Sequence, residues 1–342
     1  MTGFGAIVAF GAVPLAALIC AALIVAIMPL LARYALARPN ARSSHKIPTP
    51  QGAGIAVIAA TLGVAAGAIA LAASVPAIPL LLFGATILIA AVGTVDDIRP
   101  IPVLPRLLLQ AIAVGAVLAA LPADLQILPM VPLWIERAGL LVAALWFVNL
   151  VNFMDGLDWM TVSEVVPISL ALVALGVVGA LPPDATLIAA ALGGAILGFA
   201  PFNRPVARVF LGDVGSLPVG LLLGWCLLQL AGNGHLAAAV LLPLYYLADS
   251  TLTLVRRIAK REAFWEAHRT HFYQRATDNG FSVLGVVGMV FGLNLLLAAL
   301  AGVSVALGSA AIDAAMLLAG GAAVAFVLAR FGRPRHQSPA QA

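Results

Sequence analysis

Long apolar runs alternate with short polar connections along the whole chain. A run of roughly 20 apolar residues is long enough to cross a bilayer as a helix. Eleven runs approach this length, and they predict eleven membrane helices of an all-α bundle. They lie near residues 8–32, 53–73, 78–95, 106–121, 137–152, 162–180, 185–200, 217–231, 235–255, 281–303 and 309–330.

Composition supports the same class of protein. Hydrophobic residues make up 63% of the chain and charged residues 9%, against about 25% charged residues in a soluble domain. The sequence therefore predicts a polytopic membrane protein whose residues 1–332 form a single transmembrane domain. We expect residues 333–342 to be a disordered cytoplasmic tail. Nothing in the composition indicates nucleic-acid binding.

The basic residues are distributed very unequally between the two sides of the predicted bundle. Eleven spans divide the connections into two sets, and 17 of the 18 Lys and Arg residues fall in one set, with Arg137 alone in the other. The positive-inside rule makes the rich set cytoplasmic. This predicts an outer amino terminus, a cytoplasmic carboxyl terminus, and a bacterial cytoplasmic (inner) membrane with the chemistry on its inner face.

Polar side chains gather in the predicted inner loops. The segment from Asn149 to Asp158 holds two amides and two acids, and a continuous helix would place Asn149, Asn152 and Asp155 along one face. Such a face suits a cation and phosphates, whereas helix capping is the structural alternative. A second loop carries the pair Asp96 and Asp97, a candidate base or metal site.

Three further inner loops complete the pattern. The first contains His45-Lys46 followed by Pro48-Thr-Pro50, where Lys46 can reach a phosphate or simply act as a topology signal. The fourth reads Phe210-Leu-Gly-Asp213-Val-Gly-Ser216, in which Asp213 offers oxygen ligands to Mg²⁺. The fifth contains His268-Arg-Thr-His271, which suits anions better than zinc because arginines surround it.

Asp249 lies inside the ninth predicted span. Arg256 and Arg257 follow within helical reach, so we expect a structural ion pair with one of them.

These five signatures, in this order, resemble the polyprenyl-phosphate N-acetylhexosamine-1-phosphate transferase superfamily, glycosyltransferase family 4. The resemblance is to its O-antigen-initiating branch, which is related to the phospho-MurNAc-pentapeptide transferases. It implies an Mg²⁺-dependent phosphotransferase, with Mn²⁺ as an alternative cofactor. Such an enzyme moves an N-acetylaminosugar 1-phosphate from a UDP-sugar to undecaprenyl phosphate, releases UMP and starts a cell-envelope polysaccharide.

The resemblance also implies residue roles. Asp213 and Asn152 would bind the metal, and Asp96 and Asp97 would position or deprotonate the acceptor phosphate, in an order that stays open. The roles in substrate binding fall to eight residues: Lys46 and Asp158 at the uracil, His268, Arg269 and His271 at the diphosphate, and Asn149, Asp155 and Arg106 in support of the acid cluster.

Three positions depart from the family pattern. Trp159 replaces a usual Gly, Gln51 a common Arg, and Ala53 a common Gly. The donor therefore stays open between UDP-GlcNAc and a 6-deoxy N-acetylhexosamine, and so does a homodimer. The rival function is a transporter or flippase of lipid-linked sugars, which would instead place ionisable residues near the bilayer midplane and show related halves.

Overall fold

The structure of the chain is a computed structural model that describes residues 3–37, 48–72, 79–263 and 268–334. It is helical apart from one small hairpin. The helices are α1 (Gly3–Tyr34), α2 (Gly54–Leu71), α3 (Leu80–Ile98), α4 (Val103–Ala119), α5 (Leu133–Met154), α6 (Met160–Val177), α7 (Pro183–Phe199), α8 (Asp213–Gly232), α9 (Leu236–Leu241), α10 (Leu244–Ala259), α11 (Phe272–Asp278), α12 (Val283–Leu307) and α13 (Ala310–Phe331). Strands β1 (Leu36–Ala37) and β2 (Thr49–Pro50) pair in antiparallel fashion.

Every predicted apolar run falls on helical structure. Among the described residues, eight helices are long and apolar enough to cross a membrane, and α4 and α7 are apolar helices of 17 residues each. The chain is therefore a multi-pass membrane helix bundle. The ninth run is not one helix, because the chain breaks at Leu242 and Pro243 between α9 and α10. The total of eleven spans and the orientation of the termini remain predictions.

Glycines set the closest helix contacts in the bundle. A Cβ on Gly194 or Gly198 of α7 would lie 2.2 Å from the carbonyl oxygen of Val13 or Ala17 in α1. Small residues allow backbones to approach in this way, as in other membrane bundles. The helix α7 consequently lies at the centre, packed against α1, α2 and α6.

A similar contact fixes the position of α8. A Cβ on Gly93 of α3 would lie 2.4 Å from the carbonyl oxygen of Asp213, so only glycine lets α3 touch the first turn of α8. Further along, α8 packs on α5, where a Cβ on Gly220 would lie 2.9 Å from the Cα atom of Val148. The ends of α3 and α5 and the start of α8 therefore meet at one end of the bundle, which we call the site end.

The first inner loop is held against the start of α8 by main-chain hydrogen bonds. Phe210 donates its N–H to the carbonyl of Pro50 (2.8 Å), and its own carbonyl accepts from Gly52 and Ala53 (3.1 and 3.0 Å). Ala53 has a right-handed helical backbone (φ −58°), so alanine fits this position without strain. Two signatures that are 160 residues apart in sequence thus form one surface, because the contact joins residues 50 and 210.

Candidate active site

Asp97 holds the first turn of α8. Its two carboxylate oxygens accept the N–H groups of Asp213 (3.0 Å) and Val214 (3.1 Å), which have no partner inside the helix. Gln51 donates to the same carboxylate (2.5 Å). Gly212 has φ +77°, and a Cβ there would lie 2.6 Å from Asp97 Oδ2, so this turn requires glycine. Asp97 is therefore the capping residue of α8.

Asp96 faces a different set of donors. Its carboxylate accepts the N–H of Ile101 (2.6 Å) and forms an ion pair with Arg106 (2.5 Å). The same Arg106 nitrogen lies 3.8 Å from a carboxylate oxygen of Asp213. Arg106 therefore lies between the two acids. It is in the first turn of α4, which a short turn connects to the end of α3.

Asn152 joins α5 to the start of α8. Its amide nitrogen donates to Asp213 Oδ1 (2.7 Å) and to the hydroxyl of Ser216 (2.9 Å). One turn earlier, Asn149 is buried and donates to Gln110 of α4 (2.7 Å). Asn152 belongs to the acid cluster, whereas Asn149 supports it by fixing α5 against α4.

The Asn149–Asp158 segment is helical only in its first half, so the single face that a continuous helix would give does not extend to Asp155. The helix α5 ends at Met154, and Asp155 follows it with φ −82° and ψ +45°. Burial, with the charges of Asp213, Asp97 and Asp158 adding to it, raises the pKa of Asp155 to about 7, although a hydrogen bond from Thr161 opposes this. Asp155 therefore adjoins the acid cluster from a turn and not from a helix face.

The turn after Asp155 contains Trp159, whose backbone conformation is unusual for a residue other than glycine. Trp159 has φ +62°, a left-handed conformation that favours glycine. Its N–H donates to the side chain of Asn203 (2.8 Å), and its indole N–H donates to the carbonyl of Ala200 (2.7 Å). Asp158 is buried beside it and accepts the N–H of Ala207 (3.1 Å). The indole is thus held against Ala200 by its N–H.

The fifth loop is organised by a second buried acid. Asp249, which is 0% exposed, accepts the N–H groups of Phe272 (2.9 Å) and Tyr273 (3.1 Å) and lies 3.2 Å from His271 Nδ1. The predicted pairing of Asp249 with Arg256 or Arg257 is wrong. Three donors at the start of α11 face the carboxylate, while Arg257 pairs with Glu262 (3.0 Å).

His268 and Arg269 stand next to this capped helix. The His268 ring stacks on that of His271 with centroids 4.9 Å apart, and burial lowers the pKa of His268 to about 4. Arg269 pairs with Asp278 (3.2 Å) at the end of α11. His268 is therefore neutral near pH 7, and a positive charge in this loop comes from the arginines.

Sequence reasoning missed Tyr273, which connects the two clusters. Its hydroxyl donates to the carbonyl of Phe153 at the end of α5 (3.0 Å), and a Cβ on Gly156 would lie 2.2 Å from that hydroxyl. The signal was present as a tyrosine two residues after His271 and a glycine directly after Asp155. Their pairing depends on tertiary packing, which the sequence does not display. Lys46 lies outside the described residues.

The acid cluster has the composition of a cation site. Asp96 and Asp213 bring two carboxylates to Arg106, and the Asp97 carboxylate lies beside them at the first turn of α8. Within the described ranges, no group of three or more His, Cys, Asp or Glu side chains is arranged to hold a metal ion alone. A cation here would therefore take most ligands from water or phosphate, as Mg²⁺ usually does. Asp213 and the amide oxygen of Asn152 would be the protein ligands of such a cation.

An apolar groove lies between the helices further along the bundle, toward the ends of α4, α5 and α8 that are remote from this cluster. It is a cavity of about 240 Å³ lined mainly by α4, α5 and α8, with Val114, Val148 and Gly220 among its lining residues. Gly220 is seven residues after Asp213, so the groove begins about 10 Å from the acid cluster at 1.5 Å per residue. A lipid chain in the groove could therefore carry a phosphate to the cluster.

The helix bundle thus combines an acid cluster and a basic loop at the site end with an apolar groove further along α4, α5 and α8. Residues 79–231 match the model of glycosyl transferase family 4. This range contains α3 to α8 and with them the entire acid cluster. Residues 79–231 are therefore similar to that family, which confirms the superfamily resemblance inferred from the signatures.

Individual relatives agree with the family match. A decaprenyl-phosphate N-acetylglucosaminephosphotransferase of Mycobacterium tuberculosis is 29% identical over 303 residues, which cover 75% of this chain and 72% of the relative. A Bacillus subtilis protein named "Probable undecaprenyl-phosphate N-acetylglucosaminyl 1-phosphate transferase" is 26% identical over 294 residues, 78% of this chain and 80% of the relative. A phospho-N-acetylmuramoyl-pentapeptide-transferase of Nostoc punctiforme is 31% identical over 192 residues, 53% of this chain and 50% of the relative.

Proposed function

We propose that this chain transfers an N-acetylaminosugar 1-phosphate from a UDP-sugar to undecaprenyl phosphate. An oxygen of the acceptor phosphate attacks the β-phosphorus of the donor, the bond from that phosphorus to the bridging oxygen breaks, and UMP leaves. The products are a polyprenyl-diphospho-sugar and UMP. The names of the relatives from M. tuberculosis and B. subtilis support a polyprenyl phosphate acceptor and a phosphotransferase reaction.

The observation that carries this proposal is the position of the acid cluster relative to the groove. Phosphoryl transfer between two anions needs positive charge at the reacting oxygens and a membrane-side path for the lipid. The cluster of Asp96, Asp97 and Asp213 attracts a cation, and the groove at Val148 and Gly220 leads away from it between the helices. A transporter would gain nothing from this arrangement at one end of the bundle.

We assign the metal to Asp213 and Asn152, with Mg²⁺ as the cation and Mn²⁺ as the alternative. When bound, the metal supplies positive charge that offsets the charge of the phosphate oxygens. Asp213 offers a carboxylate at 27% exposure, and Asn152 lies 2.7 Å from it. The protein fixes these two groups through the cap on α8 and the packing of α5.

The hydrogen bonds favour a division of labour in the acid pair. Asp97 already accepts three N–H groups, so we assign it to positioning the first turn of α8. Asp96 and Arg106 form a compact pair that we assign to the acceptor phosphate. There Arg106 offsets the negative charge of the acceptor phosphate, and Asp96 accepts the proton of that phosphate. Asp155, in the adjoining turn, supports the same cluster together with Asn149.

The donor would lie between the acid cluster and the fifth loop. We assign the diphosphate to His268, Arg269 and His271, because His271 is held by the buried Asp249 and Arg269 brings permanent charge. We assign the uracil to Asp158 and Lys46. Tyr273 keeps this loop at the end of α5, so both substrates meet at the site end.

The donor sugar is UDP-GlcNAc or a 6-deoxy N-acetylhexosamine in this proposal. The relatives from M. tuberculosis and B. subtilis carry N-acetylglucosamine in their names, which supports the first alternative. Trp159 is the departure from the family pattern that bears on the second alternative. The product would start O-antigen or another envelope polysaccharide at the inner face of a bacterial cytoplasmic membrane. Residues 1–332 would act as one catalytic domain, and a homodimer remains open.

UMP release by the purified full-length chain tests the proposal. The chain is reconstituted with undecaprenyl phosphate and Mg²⁺, and each of UDP-GlcNAc, two 6-deoxy UDP-N-acetylhexosamines and UDP-MurNAc-pentapeptide is offered at equal concentration. We expect UMP and a lipid-linked aminosugar detectable by mass. A dominant muramoyl product would contradict the O-antigen-type assignment, and no product from any donor in the folded protein would contradict the reaction.

A further inference from the structure

A basic cleft lies at the end of α10, away from the acid cluster. Its volume is about 240 Å³. Four cations and one acid contribute to its walls together with two threonine hydroxyls. The lining residues are Thr253, Arg256, Arg257, Lys260, Glu262, Thr270 and Arg275.

The single acid among these residues neutralises only one of the cations. Glu262 lies 3.0 Å from Arg257, which also donates to the carbonyl of Ala263 (2.7 Å). In the part of the chain that the structure describes, the Arg257 Nε atom is buried without a hydrogen-bond partner. The lining residues therefore carry an excess of positive charge and at least one donor without an acceptor.

The aromatic ring of Phe272 brings two of the other cations together. The guanidinium of Arg256 lies 5.3 Å from the ring centroid, and that of Arg275 lies 5.7 Å from it. Cation–π contacts of this kind hold a guanidinium in place without using its N–H groups. The two guanidinium groups repel each other because both are positively charged. An anion between or beside them offsets this repulsion.

An apolar stripe runs along the same helix, on the side away from the cleft. Leu252, Val255 and Ile258 recur at intervals of three along α10 and are 48%, 56% and 51% exposed. A helix with such a stripe and with basic residues on its other side places its apolar face among acyl chains and its cations at headgroup level. The exposed Arg256 and Lys260 therefore lie where lipid phosphates are concentrated.

We infer that this cleft is a second phosphate-binding site, distinct from the acid cluster and unassigned in the transfer reaction. Its ligand is a phosphate group, carried either by an anionic membrane lipid or by a soluble phosphate. Arg256, Lys260 and Arg275 supply the charge, and Thr253 and Thr270 supply hydroxyls. The apolar stripe on the same helix favours the lipid as the source.

An occupied cleft would also stabilise the fifth loop. The Thr270 hydroxyl lies 3.0 Å from the Nδ1 atom of His268, so the wall of the cleft and the stacked histidines share one hydrogen bond. An anion that orders Thr270 therefore orders His268 as well. The inference concerns binding and does not rest on the transfer reaction, so failure of either can be recognised separately.

Thermal unfolding of the full-length chain in nanodiscs tests this site. Three conditions are compared: phosphatidylcholine alone, phosphatidylcholine with phosphatidylglycerol, and phosphatidylcholine with inorganic phosphate. Mass action predicts a rise in Tm of roughly 3–6 °C for a ligand at about 100 times its Kd. A rise with phosphatidylglycerol only identifies a lipid phosphate, and a rise with inorganic phosphate identifies a soluble source. Both results support the phosphate site.

Charge removal at the cleft supplies the decisive comparison. The double variant Arg256→Gln, Lys260→Gln should lose most of the rise, and the charge-conserving Arg256→Lys, Lys260→Arg should keep it. Arg330→Gln is the matched control, because Arg330 also lies over an aromatic ring, at 4.8 Å from Phe281, but does not line the cleft. Should the double variant not fold, Lys260→Gln alone replaces it, since that side chain is exposed. No rise in the wild type, or an equal rise in the glutamine variant, would overturn the site.

Discussion

Asp97 and Asp249 perform the same structural task in two regions of opposite charge. Each is an aspartate whose carboxylate accepts two consecutive backbone N–H groups at the start of a helix, Asp213 and Val214 for Asp97, Phe272 and Tyr273 for Asp249. A carboxylate is a strong partner for such groups because of the helix dipole. The same device therefore fixes both halves of the site.

The two regions differ in the side chains that surround each capping aspartate. Asp97 fixes Asp213 beside Asp96 and Arg106, where acids outnumber the cation. Asp249 fixes His271 in a loop with Arg269, which carries a permanent positive charge. One region suits a cation, and the other suits phosphates. The comparison indicates that capping supplies geometry in both places, while neighbouring residues determine the ligand.

The largest effect is expected at Asp213, the partly exposed acid of the first region. Asp213→Asn keeps the shape of the side chain but removes the charge that we assign to the metal, so transfer should fall by at least ~10²-fold. UMP release at saturating Mg²⁺ measures it. Asp124→Asn, an exposed acid outside the site, is the matched control and should stay within twofold of the wild type. Full activity of Asp213→Asn, or unchanged wild-type activity in EDTA, would refute the metal assignment.

Breaking each cap in turn tests the proposed parallel. Asp97→Asn and Asp249→Asn each set an amide NH₂ against a backbone N–H, which should cost roughly 1–3 kcal/mol of folding stability. The kinetic consequences should differ, since Asp97→Asn disturbs Asp213 and lowers kcat, whereas Asp249→Asn releases His271 and raises KM for the UDP-sugar. Thermal unfolding and steady-state kinetics separate the two. Identical kinetic changes in both variants would show that the regions are not specialised.

The link between the regions gives a third, smaller effect. Gly156→Ala places a Cβ 2.2 Å from the Tyr273 hydroxyl, so the tyrosine must move away from Phe153. Overpacking of this kind costs about 1–3 kcal/mol. Gly115→Ala in α4 is the control, because a Cβ there meets nothing within 4 Å and alanine favours a helix. Equal Tm values for both variants would mean that Tyr273 does not connect the clusters tightly.

The smallest effect is a contrast in pH dependence. The pKa of Asp155 is raised to about 7 by burial, so its contribution favours folding at low pH and is lost as pH rises from about 4 through 7. The pKa of His268 is lowered to about 4 by burial, so its contribution favours folding at high pH and is lost as pH falls from about 6.5 through 4. Asp155→Asn and His268→Gln should therefore change the slope of Tm against pH in opposite directions. Parallel changes would contradict this assignment of the two groups.

The sequence predicted the helices well because bilayer thickness dictates long apolar runs, and each predicted run falls on helical structure. It also brought together Asp96, Asn152 and Asp213, since all lie in loops or helix ends of one basic face. It did not predict that Asp97 caps α8, because that depends on the contact of Gly93 with a helix 120 residues later.

The remaining error has a related cause. Asp249 was expected to pair along its own helix with Arg256 or Arg257, but backbone N–H groups at residues 272 and 273 reach it first. The one indication of a left-handed turn was that Trp159 stands where the family usually has glycine. That indication came from the resemblance and not from this sequence by itself.

The fate of the donor β-phosphate tests the central claim most directly. The purified chain is given UDP-GlcNAc labelled on either the α- or the β-phosphate, with undecaprenyl phosphate and Mg²⁺, and the lipid and aqueous phases are then separated. Sugar-phosphate transfer at the acid cluster predicts that the β-label enters the lipid fraction and the α-label leaves as UMP. A β-label that stays in the aqueous phase as UDP while the sugar enters the lipid would contradict the account, because the reaction would then be transfer of the sugar without its phosphate.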